Sequence, residues 1–165
     1  MPTFKTATID DIKTIQSVAA PAFSDAYKNI LTPEQTAYML DMMYSKESLT
    51  KQLQGGHIFF IAYERAKPVG YVSVERQSQQ LFHLQKIYLL SECRGKGYGK
   101  MLFEKAQNYA LSQCSGECVM ELNVNRNNKA LEFYKKMGMH IAESGDFDIG
   151  GGFYMNDYIM RKKLR

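Results

Sequence analysis

The sequence predicts an α/β (α+β) protein in which helices pack on a mixed sheet, with residues 1–165 forming one domain. Three observations carry this. Strand-like runs recur in "TFKTATI", "HIFFIAYE", "PVGYVSVERQ", "LFHLQKIYLL" and "CVMELNVN", with alternating or aromatic and β-branched side chains. Capped segments with helical spacing separate them. The resulting order, β-α-α-α-β-β-β-α-β-α-β-β, has too few β-α repeats for a doubly wound sheet. A chain of 165 residues, 45% hydrophobic and 23% charged, can build a core without disulfides or metal.

Taken in order, "TFKTATI" reads as the first strand. The helix after it sets Ile12, Ile15, Val18 and Ala19 on one face, with Asp10 as N-cap and Pro21 as an interruption or bend. A second helix starts at Thr32 as cap, with Pro33 first and Gln35 three residues on. Ser45 caps a short third helix in "SKESLTKQL". The strands "HIFFIAYE" and "PVGYVSVERQ" are joined by "RAK" as a hairpin, and "LFHLQKIYLL" follows. The helix "KMLFEKAQNYALSQC", the strand "CVMELNVN" and the helix "NKALEFYKKMGM" come next, the last closed by Gly138. "HIAES", a loop "GDFDIGGG" and the strand "FYMNDYIMRKKL" finish the chain.

Several classes of protein are disfavoured. No apolar run approaches the roughly 20 residues of a membrane span, and "MPTFKTATIDD" lacks a signal-peptide layout. Cys93, Cys114 and Cys118 form no CxxC pair and are odd in number, which suits a reducing cytoplasm. Nothing supplies four metal ligands at zinc spacing. Lysine plus arginine exceed aspartate plus glutamate by 21 to 17, a net charge of +4. The basic residues are spread out until "RKKLR", and no clustered basic face interleaved with aromatics marks a nucleic-acid partner.

The chemistry concentrates in "ECRGKGYGKML". Gly95, Gly97 and Gly99 let the backbone approach a ligand and adopt positive φ. A strand ends just before them and a helix begins just after, so its first amides point outward as donors. The helix dipole and Arg94, Lys96 and Lys100 add positive charge, which makes an anion site suited to a diphosphate. The spacing is not that of a P-loop, because Met101 follows Gly99-Lys100 and Arg94 stands where its first glycine belongs. The GxGxG spacing also departs from a dinucleotide fingerprint.

"LQKIYLLSECRGKGYGKMLFEKA" resembles the acetyl-CoA-binding segment of the GNAT superfamily of N-acetyltransferases, a strand followed by [RQ]GxGx[GA]. Asn127, Ala130, Tyr134 and Gly138 in "LNVNRNNKALEFYKKMGM" fit that superfamily's N-x-x-A-x-x-x-Y-x-x-x-G pattern. The resemblance covers roughly residues 58–139. Flanking segments resemble, more loosely, the bacterial PaiA-like branch associated with polyamines. The resemblance implies a mostly antiparallel sheet of six to seven strands, with acetyl-CoA as cofactor. It implies that the backbone of Ile87, Tyr88 and Leu89 pairs with the pantetheine arm, and that a backbone amide near Leu89 polarises the thioester carbonyl. Residues 94–100, including Tyr98, would hold the pyrophosphate, and Asn127 would bond the pantetheine or cap its helix.

The same resemblance makes Tyr134 the proton donor to the leaving thiolate, a role a neutral phenol of pKa about 10 can fill. Packing on a helix face is the competing reading of Tyr134. The acceptor is a small-molecule or peptide amine, about one part in a thousand deprotonated at pH 7, so a proton acceptor is needed. His83 stands where the PaiA-like branch tends to carry a glutamate, which leaves the base open among His83, Glu75, Glu121 and water. A CoA-binding regulator without catalysis, and a protein N-terminal or lysine acetyltransferase, are the alternatives. The sequence leaves open whether the chain is a monomer or a homodimer.

Overall fold

The computed structural model describes residues 1–165 and contains a seven-stranded sheet in the order β1-β2-β3-β4-β5-β7-β6. The strands are β1 (Thr3–Thr6), β2 (His57–Glu64), β3 (Lys67–Arg76), β4 (Leu81–Leu89), β5 (Val119–Asn125), β6 (His140–Gly150) and β7 (Phe153–Lys163). The helices are α1 (Ile12–Tyr27), α2 (Pro33–Tyr44), α3 (Lys46–Gln54), α4 (Tyr98–Gln113) and α5 (Ala130–Lys136). Every pairing is antiparallel except β4 with β5. This is the mixed, mostly antiparallel α+β architecture that the sequence implies.

The sheet is buried on both faces near its middle. One face packs Phe59, Tyr71 and Phe23 beneath α1–α3, and the other packs Phe82, Leu102, Phe103 and Met120 with α4. The caps at Thr32 and Ser45 form as expected, their hydroxyls accepting from Gln35 N and Ser48 N.

Four local expectations are corrected. Thr8, not Asp10, starts the first helical turn: Thr8 Oγ1 accepts from Asp10 N, while Asp11 Oδ2 accepts from Thr8 N at 2.8 Å. Pro21 does not interrupt α1. The carbonyl it leaves without a partner belongs to Ser17, and both residues are exposed, so water can satisfy that group. The segment "GDFDIGGG" is not a loop up to Gly150. It pairs with β7, with Gly145 opposite Asp157 and Phe147 opposite Met155, and only Gly151 and Gly152 turn. Finally, the hairpin between β2 and β3 turns on two residues, since Glu64 pairs with Lys67.

That tight turn puts Arg65 at φ 52° and Ala66 at φ 66°, the left-handed region that costs a Cβ-bearing residue about 1 kcal/mol. Neither is glycine. Ala66→Gly is therefore expected to stabilise the fold by roughly 0.5–1 kcal/mol, raising the melting temperature by about 1–4 °C. Thermal melting followed by circular dichroism checks this.

Candidate active site

The site is built by two neighbouring strands that part company. β4 and β5 pair in parallel only at Leu81 with Val119, Phe82 with Met120 and His83 with Glu121. Beyond that point β4 stays on β3, with Leu89 opposite Gly70, and β5 stays on β7, with Asn125 opposite Asp157. Gln85 is an extra residue in the β3–β4 ladder, since Ser73 faces Lys86 while Val74 faces Leu84. Such a bulge bends its strand and increases its twist, which turns β4 away from β5. The β5-facing main-chain groups of residues 84–89 are left without a strand partner. They form an open sheet edge inside the molecule.

A cleft of about 800 Å³ fills this split. Ile87, Tyr88 and Leu89 form one wall, and Leu122, Asn123 and Val124 the other. Arg94, Gly95, Gly97, Tyr98, Gly99 and Lys100 line its rim. Gly95 and Gly97 both have φ 82°, and a Cβ at either would meet open space. They are needed for backbone conformation rather than for lack of room. Gly97 caps α4 with no side-chain bond, and the first turn of α4 carries no acidic residue. The helix therefore presents bare amides and its positive dipole end to the cleft. This donor set, with the cationic rim, fits a diphosphate.

The predicted site residues divide. Arg94 and Lys100 reach the cleft, Arg94 also contacting Asp25 at 3.1 Å. Lys96 instead turns to Glu64 at 3.3 Å, where Glu64 also accepts a short bond from the Tyr98 hydroxyl. Asn127 is exposed and lines the cleft, but the capping role falls to its neighbour: Asn128 Oδ1 accepts from Ala130 N at 2.9 Å. Tyr134 lines the cleft with its side chain buried. Burial pushes its phenol well above the ordinary value and the neighbouring Tyr27 adds to this, so it is held neutral.

The candidate bases lie elsewhere. His83 is not among the residues that line the cleft. It sits where β4 and β5 are still paired, its Nδ1 3.3 Å from Glu121 Oε1. Burial pulls the imidazole below its ordinary value, opposed by Glu121. Glu121 also accepts from Arg161 Nε at 3.0 Å, and Glu75 accepts from Gln85 Nε2 at 2.9 Å. In its contact with Glu121, His83 uses only Nδ1, and the other oxygen of Glu75 lies 3.3 Å from His57 Nε2.

Two features of this region escape any motif. Tyr38 on α2 donates to Ile149 O at 3.0 Å and packs against Gly151, fixing the β6–β7 turn to α2. Lys86 is buried, its ammonium 2.6 Å from Gln52 Oε1 and 5.5 Å from the Phe59 ring centroid. Only an odd lysine within the strand pattern "LQKIYLL" hints at it. Burial pulls Lys86 down to about 8.

Comparison with known proteins agrees with this architecture. Residues 27–148 match the family model described as an acetyltransferase (GNAT) domain, so the chain belongs to the GNAT acetyltransferase family. It is 33% identical over 92 residues to an uncharacterized N-acetyltransferase of Methanocaldococcus jannaschii, covering 52% of this chain and 40% of that protein. It is 31% identical over 86 residues to the peptidyl-lysine N-acetyltransferase YjaB of Salmonella typhimurium, covering 52% and 51%. The chain thus matches about half the length of these curated relatives. Among solved structures, PaiA N-acetyltransferase of Thermoplasma acidophilum in complex with coenzyme A shares the fold. Its TM-score is 0.81 at 24% identity, over 99% of both chains.

The buried lysine yields a pH prediction. Its folded value of about 8 lies below the ordinary 10.5, so the native state binds fewer protons than the unfolded state between those values. The cost of burying the charge is fully present below about pH 8 and fades as pH rises towards 10.5. Relative to Lys86→Met, the wild type is expected to gain stability across that window, on the order of 3 kcal/mol. Urea unfolding of both proteins at several pH values measures the difference.

Proposed function

We propose that this protein is an N-acetyltransferase that moves an acetyl group from acetyl-CoA directly to a primary amine in a ternary complex. The observation that carries the reading is the shared cleft. An unpaired strand edge, an anion cradle at the start of α4 and the Tyr134 phenol all border one space. Acetyl-CoA would supply an acyl group activated as a thioester.

The chain's own residues would do the rest. The free main-chain groups of Ile87, Tyr88 and Leu89 bind an extended amide-bearing arm as an added strand would. An amide near Leu89 donates to the acyl oxygen, where negative charge grows during transfer. Amides at Gly97, Tyr98 and Gly99, with Arg94 and Lys100, bind the diphosphate. Lys96 joins them only by leaving Glu64. The exposed amide side chain of Asn127 is available to the arm. Tyr134, neutral by burial, delivers a proton to the sulfur as it leaves. The cleft also runs past the end of α1 and the residues after it, Asp25–Ile30, and this is where the amine would approach. The three unpaired thiols match a protein of the reducing cytoplasm.

Two variants test the two halves of this reading. Tyr134→Phe is expected to lower turnover about 10²–10⁴-fold while leaving acetyl-CoA affinity within about twofold. Turnover equal to wild type would remove the proton-donor role. Gly97→Val forces a β-branched residue to φ 82° at the start of α4 and is expected to weaken CoA binding by tenfold or more. Calorimetric titration measures the second, and thiol release from acetyl-CoA with a panel of amines measures the first. Tight CoA binding by the wild type with no thiol released by any amine would instead favour a regulator that binds the cofactor without chemistry.

A further inference from the structure

The charged side chains that line the cleft are Lys28, Lys86, Arg94, Lys100 and Lys129, and a single acid, Asp25. That carboxylate holds the arginine of the anion cradle. Asp25 Oδ2 lies 3.1 Å from Arg94 Nη2, and Asp25 Oδ1 accepts from Lys28 Nζ at 3.2 Å. The other cradle cations also rest on carboxylates, Lys96 on Glu64 at 3.3 Å and Lys100 on Glu104 at 3.9 Å, but neither of those acids lines the cleft. Asp25 alone places a negative charge in the space that suits an anion.

Local folding does not account for an acid at this position. Asp25 lies in the last turn of α1, where the helix dipole is negative and a cation would be the stabilising choice. That turn carries no basic residue. The ion pair is also open to water, the side chain of Asp25 being 28% exposed and that of Arg94 54%. A pair so exposed adds little to stability. It exchanges readily for the same reason, and Lys28 remains beside Asp25 when Arg94 leaves. The bond from Lys28 holds the Asp25 carboxyl below its ordinary range, with Arg94 adding to this against a small effect of burial. Asp25 is therefore charged at neutral pH.

We propose that Asp25 is a built-in competitor for the diphosphate of CoA, engaging Arg94 before the cofactor binds and recapturing it as CoA leaves. This rests on the reading of the cradle as a CoA diphosphate site. The basis is charge balance. One guanidinium does not neutralise a carboxylate and a diphosphate together, and the two anions repel when both crowd it. Arg94 must therefore give up Asp25 to serve the diphosphate fully. Affinity for CoA is lowered by whatever the Asp25–Arg94 pair is worth. Release of CoA is eased to the same extent, because a second anion stands ready to take the guanidinium. Asp25 thus sets how tightly the cofactor is held and how fast it exchanges.

Calorimetric titration with CoA tests this on the wild type, Asp25→Asn, Arg94→Gln and the double variant. Asp25→Asn is expected to tighten CoA about twofold to fivefold, the range that an exposed ion pair supplies. Arg94→Gln is expected to weaken it. Adding Asp25→Asn to Arg94→Gln should change affinity by less than about 1.5-fold, because no guanidinium is left to release and Lys28 still offsets the carboxylate. Stopped-flow dissociation of CoA should slow in Asp25→Asn by a factor similar to the gain in affinity. Asp25→Ala, which has no side-chain oxygen, should repeat the gain.

Unchanged or weaker CoA binding by both Asp25 variants overturns the proposal, and weaker binding would mark Asp25 as the residue that orients Arg94 towards the ligand. An equal gain with and without Arg94 also overturns it, since the effect would then belong to the general charge of the cleft. Either failure leaves CoA binding by the wild type, and with it the cradle reading, intact. A wild type that gives no heat of binding with CoA removes the cradle reading and the competitor together.

Discussion

The separation of β4 from β5 is the constraint on which the rest depends. Two parallel strands that share three residue pairs and then diverge leave unsatisfied main-chain groups in the interior, a situation sheets otherwise avoid. The bulge at Gln85 starts the divergence, and each strand keeps its other neighbour, so the sheet stays continuous while its middle opens. The free edge is rigid because β3 and β7 hold both walls in register. A binding site made of main-chain groups needs this rigidity, since main-chain donors cannot be repositioned by rotamer changes.

Charge is distributed unequally around that opening. At the α4 end, backbone amides, the helix dipole, Arg94 and Lys100 all favour an anion. Asp25 on α1 pairs with both Arg94 and Lys28, and Asp157 lies buried behind Asn123. Tyr134 borders the same space, its phenol kept protonated by burial. The carboxylates further down the sheet do not disturb this arrangement, because Glu121 is held by Arg161 and His83, and Glu75 by Gln85.

Where the sequence misled, the cause was usually a partner distant along the chain. "GDFDIGGG" carries turn-forming residues, yet Phe147 and Ile149 alternate with aspartates, and pairing with β7 makes this segment a strand. Lys96 sits among cradle residues but is drawn away by Glu64, some thirty positions earlier. The capping role open to Asn127 is not taken by its side chain, and Asn128 Oδ1 accepts from Ala130 N instead.

By itself the sequence determined the order of elements, the glycine-rich entrance to α4 and the place of Tyr134 on its helix. Each of these is written in a short contiguous stretch, where glycine spacing, caps and helical periodicity act locally. Tertiary structure alone decided that β4 and β5 split after His83, that Tyr38 pins the β6–β7 turn to α2, and that Asp157 is buried with one oxygen unpaired. Those facts depend on strand register and on burial by residues distant along the chain, and a linear pattern carries neither.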